Sequence, residues 1–389
     1  MKKALPILCL LAFAGTTIAQ ERLVEWYPDG WSNALGRAGA KDSLVLVMFW
    51  AQGSAQCDKL FQETFGDPKA MATLKDIVCY SADTRSQEGH ELVQKYRITS
   101  LPTMLFVKGD GRAEDGIVGF IPPEDFGREV ERIKRGVDTR SAFEKAFAAK
   151  PADLEAGFRL LVKLEEVGDT GGARQVHEQI RAKDPSGATE VGARLLLSDT
   201  VERVLEQARG EKREERASEE QPTHLDLAPV EEVLRQLEHA SVRFDGWSWV
   251  ASQYGLMEEC EGFVRASRSA WSAASDDTRF GYGRNLIAAL YEIQDQLEGA
   301  DRKFAHEVGR AVSKLAEARA ESFEGCQEGC GEDCCGSPEK ILASGFETLA
   351  RAELINGEKA RARRHAERAA QLAPESESAK ALLAALGQK

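Results

Sequence analysis

The sequence has fewer basic than acidic residues, few histidines and no long apolar run beyond its first 20 residues. Roughly 20 apolar residues are needed to span a bilayer, so we expect no membrane insertion once the amino-terminal segment is removed. The 51 lysines and arginines against 64 aspartates and glutamates give a net charge of -13, which excludes nucleic acid as a probable partner. The six histidines lack metal-ligand spacing, and no Ser-His-Asp context or phosphate-binding glycine loop occurs. We therefore expect no cofactor and no histidine metal site.

The amino-terminal residues have the pattern of a cleavable signal peptide. Met1-Lys2-Lys3 is a short basic head, residues 4–15 are almost entirely apolar, and Thr17-Ile18-Ala19 offers small residues before a cut. A retained anchor is the alternative, and the short apolar core disfavours it. We predict cleavage after Ala19 and a periplasmic or secreted protein.

The remaining chain divides into two regimes. Up to about residue 136, apolar strands such as residues 43–50, 76–83 and 116–121 alternate with helical patterns, which is typical of an α/β domain. Helical periodicity dominates afterwards, except in a stretch dense in charge and poor in apolar residues, which indicates a solvated linker. The predicted segments are an α/β domain over 20–136, helices over 137–208, a linker over 209–226 and helices over 227–389.

The helical part contains a repeated pattern. Gly168 is followed by an alanine five residues on and a proline seventeen residues on, and Gly357 is followed by both at the same offsets. Glycine suits a tight turn between two helices, alanine lets them pack closely, and proline ends the second helix. This spacing resembles that of tetratricopeptide repeats, which are pairs of helices. Helical hairpins of no particular family are the alternative.

Three motifs in the α/β part resemble the thioredoxin fold. They are the strand and turn "LVLVMFWAQGSAQCDKLF" at residues 44–61, Thr64-Phe65-Gly66-Asp67-Pro68, and Ser100-Leu101-Pro102-Thr103. The resemblance covers residues 26–135 and is closest to thioredoxin-like domains of exported thiol:disulfide interchange proteins. It implies a cis peptide bond before Pro102 beside the active site, with backbone exposed there for a substrate.

The resemblance also implies a set of substrate-binding residues around this turn. They are Trp50, Ser54, Leu101, Pro102 and Thr103. The ligand that such a surface takes is another protein or an extended peptide.

The chemistry of the family does not carry over to this turn. A thioredoxin-type enzyme attacks with the first cysteine of Cys-x-x-Cys, and the second cysteine resolves the mixed disulfide. Ser54 stands at the first position and Cys57 at the second, so the attacking thiolate is missing. Gly53 replaces the family's tryptophan, and Met48 replaces a buried acidic residue that many members carry. We therefore predict a redox-silent thioredoxin fold.

Cys57 has two interpretations. It is either a single catalytic thiol that the helix dipole activates, or a buried cysteine that packs as a small apolar side chain; we favour burial. Cys79 lies within a predicted strand, and its mid-strand position argues against a disulfide with Cys57.

A cysteine-rich loop over residues 321–340 is the densest chemical signal. It contains Cys326, Cys330, Cys334 and Cys335. In an oxidising compartment, four close cysteines most simply form two disulfides, and three pairings are possible. A tetrahedral zinc site is the alternative, although the usual Cys-x2-Cys spacing is absent. We favour disulfides.

Two classes of function agree with these features. The first is a non-catalytic interaction protein that uses a thioredoxin-like domain and an array of helices to bind other proteins. The second is a thiol:disulfide reductase or isomerase that uses Cys57 or the cysteine-rich loop.

Overall fold

The computed structural model describes residues 24–214, 225–323 and 337–387. Within these ranges the chain forms two compact units, the first reaching Ile180 and the second beginning at Arg181. None of the helices in these ranges is long and apolar enough to cross a membrane. The predicted signal peptide and the four cysteines of the cysteine-rich loop lie outside the described residues.

The described part of the first unit contains four strands and eight helices, the last of which ends three residues beyond it. In chain order they are α1 (Trp31–Ala40), β1 (Leu44–Trp50), α2 (Ala55–Lys59), α3 (Pro68–Ala72), β2 (Val78–Asp83), α4 (Gln87–Tyr96), β3 (Thr103–Lys108), β4 (Ala113–Val118), α5 (Pro123–Lys134), α6 (Arg140–Ala149), α7 (Leu154–Glu166) and α8 (Thr170–Lys183). A π-helical turn, Leu60–Thr64, continues α2. The sheet order is β2-β1-β3-β4, with β1 parallel to β2 and the other pairs antiparallel.

Both faces of this sheet are covered by helices. Along β1, Leu46 and Met48 belong to one core with α3 and α5, while Val45, Val47 and Phe49 belong to the opposite core with α1 and α4. This alternation follows from the two-residue period of a strand. All five side chains are fully buried, and each contributes about 1.5–3 kcal/mol of hydrophobic stabilisation. The α/β architecture expected from the resemblance is confirmed.

Strand β4 begins earlier than the sequence pattern predicts. The apolar run at 116–121 indicated a strand there, whereas β4 spans Ala113–Val118 and Gly119 follows at a φ of 84°. Two charged residues, Glu114 and Asp115, occupy its first half and are both buried. A pattern based on apolar residues does not recognise strand positions that hold buried charges. The strand was therefore predicted too far towards the carboxyl terminus.

An ion pair joins α7 to the sheet, and hydrogen bonds join α6 to it. The Asp115 carboxylate accepts hydrogen bonds from Arg132 of α5 and from Lys163 of α7, both at 2.9 Å. The Glu114 carboxylate accepts from the Ser141 amide at 3.2 Å and from its hydroxyl at 2.9 Å. The compact unit therefore continues past the boundary predicted at residue 136.

The second unit is helical throughout its described residues. Its helices are α9 (Glu190–Glu214), α10 (Ala228–Gln236), α11 (Ala240–Leu256), α12 (Cys260–Ala273), α13 (Asp276–Glu292), α14 (Gly299–Glu321), α15 (Pro338–Ile355), α16 (Lys359–Leu372) and α17 (Glu377–Gly387). Helix α9 extends to residue 214 and so includes the first part of the linker predicted over 209–226. Leu225, at the other end of that range, is buried in the core of this unit.

A turn between two helices lies at both places where the glycine, alanine and proline pattern occurs. Gly168 lies between α7 and α8, and Gly357 between α15 and α16, each with a φ of 77°. Ala173 and Ala362 are both buried. The positive φ explains the glycine, since other L-residues adopt that conformation at a cost.

Candidate functional site at the Ser54–Cys57 turn

Trp50 ends β1 and is held by neighbouring side chains. Its indole Nε1 donates to Ser81 Oγ at 2.9 Å, and its ring packs edge-on against Phe61 with centroids 5.7 Å apart. Its carbonyl accepts from the Thr84 amide at 3.0 Å. The side chain is half-buried, so Trp50 fixes the base of the turn and leaves part of its ring at the surface.

Ser54 starts the helix that follows. It is the N-cap of α2, and its Oγ accepts a hydrogen bond from the Cys57 amide at 3.4 Å. Serine is among the preferred N-cap residues because its oxygen satisfies an amide that has no partner within the helix. Gly53 precedes it with a φ of 87°, a conformation that a tryptophan adopts only with strain. The sequence at this turn therefore suits the conformation of its backbone.

Cys57 lies in the first turn of α2, three residues after the cap, and is 0% exposed. Cys57 and Cys79 are both free thiols. Cys79 lies in β2 with its side chain in the core, and burial raises the pKa of its thiol to about 12. Among the described residues, Cys260 is a third free thiol, and no cluster of residues is suited to hold a metal ion.

The core beneath the site is apolar. Met48 is fully buried with Met104 and Leu60. The position at which many thioredoxin-type enzymes bury an acidic residue therefore lies in a hydrophobic environment. A carboxylate placed there would be costly to ionise without a partner.

The Leu101–Pro102 peptide bond is cis, as the resemblance implies. Thr103 is paired with Phe49 in the antiparallel register of β1 and β3, which places the Pro102 loop beside the end of β1. The Thr103 hydroxyl donates to the Ser100 carbonyl at 2.8 Å, and the Pro102 carbonyl accepts from the Gly119 amide at 2.7 Å. Pro102 and Thr103 are buried, while Leu101 is half-buried. The register thus brings the predicted binding residues to one end of the sheet.

Charged and aromatic side chains around the turn were not singled out by the sequence reasoning. Arg85 donates to Gln52 Oε1 at 3.1 Å and pairs with Asp83 at 2.9 Å. The hydrogen bond from Arg85 lowers the pKa of Asp83. Lys59 lies over the Phe120 ring, 4.1 Å from its centroid. Their position in the chain could have identified them: Asp83 ends β2 and Arg85 follows it, and the carboxyl end of β2 lies beside that of the parallel strand β1.

This turn lacks the second thiol of a dithiol exchange site. The turn has one thiol, and that thiol has no exposed surface. A serine hydroxyl occupies the place of the attacking group, and it stays protonated at neutral pH. Exchange through a mixed disulfide needs an accessible thiolate.

The first unit is similar to known thioredoxin-like proteins. Residues 31–134 match the family model described as thioredoxin-like domain. The thiol:disulfide interchange protein DsbD of Pseudomonas fluorescens is 28% identical over 119 residues, which are 30% of this chain and 19% of that protein. The chloroplastic M-type thioredoxin of Pisum sativum is 33% identical over 88 residues, which are 23% of this chain and 48% of that protein.

One solved structure with a similar fold is a thioredoxin from Thermus thermophilus, which is 28% identical. The match covers 28% of this chain and 86% of that chain, with a TM-score of 0.26. The chain spans less than half the length of the curated relatives described above. The family match and the α/β sheet agree on the same residues: the first unit of this chain contains a thioredoxin-like domain.

Proposed function

We propose that this chain is an exported, redox-silent member of the thioredoxin fold that binds other proteins. The observation that supports this most is the state of the Ser54–Cys57 turn. Ser54 caps α2 at the position of the attacking cysteine, and Cys57 is 0% exposed. The turn keeps the geometry of the fold while the group that would start disulfide exchange is absent.

The binding surface in this proposal surrounds the Pro102 loop. The loop lies beside the end of β1, and the half-buried side chains of Leu101, Trp50 and Phe120 offer apolar surface there. Arg85 and Lys59 add positive charge nearby. An extended segment of a partner protein suits such a surface, because backbone hydrogen bonds supply affinity and side-chain contacts supply specificity.

The helices of the second unit would provide further partner surface. We propose that they are tetratricopeptide-like repeats, a class of helix pairs that stack and use their extended surfaces to bind proteins. The glycine-centred hairpin at Gly357 supports this assignment. Residues 1–19, as a signal peptide cut after Ala19, would deliver the protein to the periplasm or the exterior.

A thiol:disulfide reductase or isomerase is the second candidate function. It is favoured by the similarity to a relative named thiol:disulfide interchange protein. In that case Cys57, or the cluster from Cys326 to Cys335, would carry the chemistry. The proposed disulfides of this cluster would then have to open and close during turnover.

Insulin reduction separates these two candidates. We expect the parent protein and Cys57→Ala to be equally close to the uncatalysed rate. Ser54→Cys should raise activity by at least about tenfold, because it supplies a thiol at the helix N-terminus with Cys57 three residues on. Ser54→Ala is the matched control and should be inactive. Parent turnover comparable to that of a dithiol thioredoxin, lost in Cys57→Ala, would contradict the proposal.

Partner binding is tested by blocking the Pro102 loop. Ser100 is exposed, so Ser100→Trp adds bulk beside the loop without filling the core. We expect it to remove the partners that the full-length protein retains from a periplasmic fraction. Ser272→Trp, at an exposed position on α12, is the control and should retain them. Retention of every partner by Ser100→Trp would refute binding at this loop.

A further inference from the structure

The second unit has a surface cleft of about 530 Å³ where the turn between α11 and α12 meets the end of α13. Its apolar lining comes from Tyr254, Phe263, Ala289 and Ile293. All four retain exposed surface: Ala289 is exposed and the other three are half-buried. The cleft has room for a large side chain of a partner.

An exposed leucine lies next to this cleft along the chain. Leu256 is 66% exposed, and it follows Gly255, which lines the cleft. An isolated apolar residue at a surface is common, but the exposed parts of the cleft's apolar lining form a patch of the kind that marks interaction sites. Burial of this patch by a partner would be favourable.

The charged side chains that line the cleft are both glutamates, Glu258 and Glu259. Residues 254–264 and 285–301 contain no lysine or arginine. Their carboxylates are Glu258, Glu259, Glu261, Glu292, Asp295, Glu298 and Asp301. Asp301 is paired with Arg268 at 3.0 Å. Arg265, which lies over the Tyr254 ring, is paired with Glu231 at 3.0 Å. Burial, and after it the charge of Asp301, raises the pKa of Cys260, which also lines the cleft. An apolar floor is thus combined with a negative surround.

We propose that this cleft binds a cationic segment of a partner protein, which inserts an aromatic or aliphatic side chain flanked by lysine or arginine. Charge complementarity selects this partner, since the acidic surround attracts cations and repels anionic surfaces. A second copy of this chain is disfavoured because its own net charge is -13. The inference rests on the proposed role in protein binding and assigns it a second site, separate from the Pro102 loop.

The test uses a random heptapeptide library displayed on phage and selected against the full-length protein. We expect the selected peptides to combine a large apolar residue with flanking lysine or arginine. The synthetic consensus peptide is then measured by fluorescence anisotropy against the parent and its variants. Selection of peptides without an excess of basic residues, or selection of none, would overturn the proposal.

Two variants locate the binding. Ala289→Trp fills the cleft from an exposed position and should weaken binding of the consensus peptide by about tenfold or more. Glu258→Lys with Glu292→Lys should weaken it similarly and flatten its salt dependence. Glu202→Lys with Glu375→Lys makes the same change in net charge at exposed positions elsewhere and should change affinity less than about twofold.

The outcomes also distinguish this site from the Pro102 loop. Ser100→Trp should leave binding of the consensus peptide unchanged. If Ser100→Trp abolishes that binding while Ala289→Trp does not, the cleft proposal fails and the proposed function survives. Circular dichroism should give the same helical signal for each variant as for the parent, which excludes loss of folding as the cause.

Discussion

Asp115 connects three elements of the first unit, and its removal is a test of how that unit is built. Its side chain is 1% exposed, and it pairs with Arg132 of α5 and Lys163 of α7, which are 21% and 12% exposed. It also accepts from the Gly116 amide at 2.8 Å. Asp115→Asn keeps the volume and one acceptor oxygen but removes the charge, so two largely buried cations lose a shared partner.

The loss of stability in Asp115→Asn depends on the ion pairs that Arg132 and Lys163 keep. Breaking a buried ion pair by removing one partner costs about 3–5 kcal/mol. Arg132 keeps Glu129 at 2.8 Å, and Lys163 keeps Glu166 at 2.7 Å. These partners are about half exposed and compensate in part, so we expect the first unit to lose about 2–4 kcal/mol of stability.

Hydrogen exchange measured by mass spectrometry on the full-length protein gives the loss of stability for the first unit alone. Exchange in peptides from β4 and α7 should accelerate about 30- to 1000-fold in Asp115→Asn if they open with the whole unit. Asp110→Asn is the control, because its pair with Arg112 is about half exposed and is worth less than about 1 kcal/mol. Equal exchange in the two variants would refute the idea that these ion pairs hold α7 on the sheet.

Two further predictions concern the turns between helices. Gly168→Ala should lower the free energy of unfolding by about 2–4 kcal/mol, because an added Cβ would lie 2.2 Å from the Tyr96 carbonyl oxygen. Gly357 has the same φ but open space around it, so Gly357→Ala should lower it by about 1–2 kcal/mol. Urea denaturation measures both values. Burial opposes ionisation of Asp184, but hydrogen bonds from Thr189 and its neighbours lower the pKa of this carboxyl to about 2, below its usual 3.8. The stability that the carboxylate contributes is therefore present above about pH 4 and lost as the pH falls towards 2, so Asp184→Asn should flatten the pH dependence of thermal unfolding in that range.

The strands of the first unit were predictable because they are buried on both faces. Residues 43–50 and 76–83 are nearly continuous apolar runs, and β1 and β2 fall within them. The motifs around Ser54 and Pro102 were also visible, because short turns with fixed residue types carry their own signal. The cis bond before Pro102 followed from the resemblance and is confirmed.

The parts that the sequence did not predict depend on contacts between distant residues. The start of β4 was missed because Glu114 and Asp115 are buried through pairing with cations of other elements, β3 and α5. Helix α9 enters the range predicted as linker because a charge-rich segment can still be helical. Arg85, beside the turn, meets Gln52 only through the parallel pairing of β1 with β2.

Ser54 contributes to the fold of the turn and also accounts for the proposed absence of disulfide exchange there. A helix needs an acceptor at its N-cap, and the Ser54 oxygen supplies one for the Cys57 amide. Because hydroxyl and thiol have similar shapes, the helix can start at the same place with either group, but only the thiol ionises near neutral pH. Structure and reactivity at this position are therefore separable, and Ser54→Cys should change the reactivity of the turn while leaving its backbone in place.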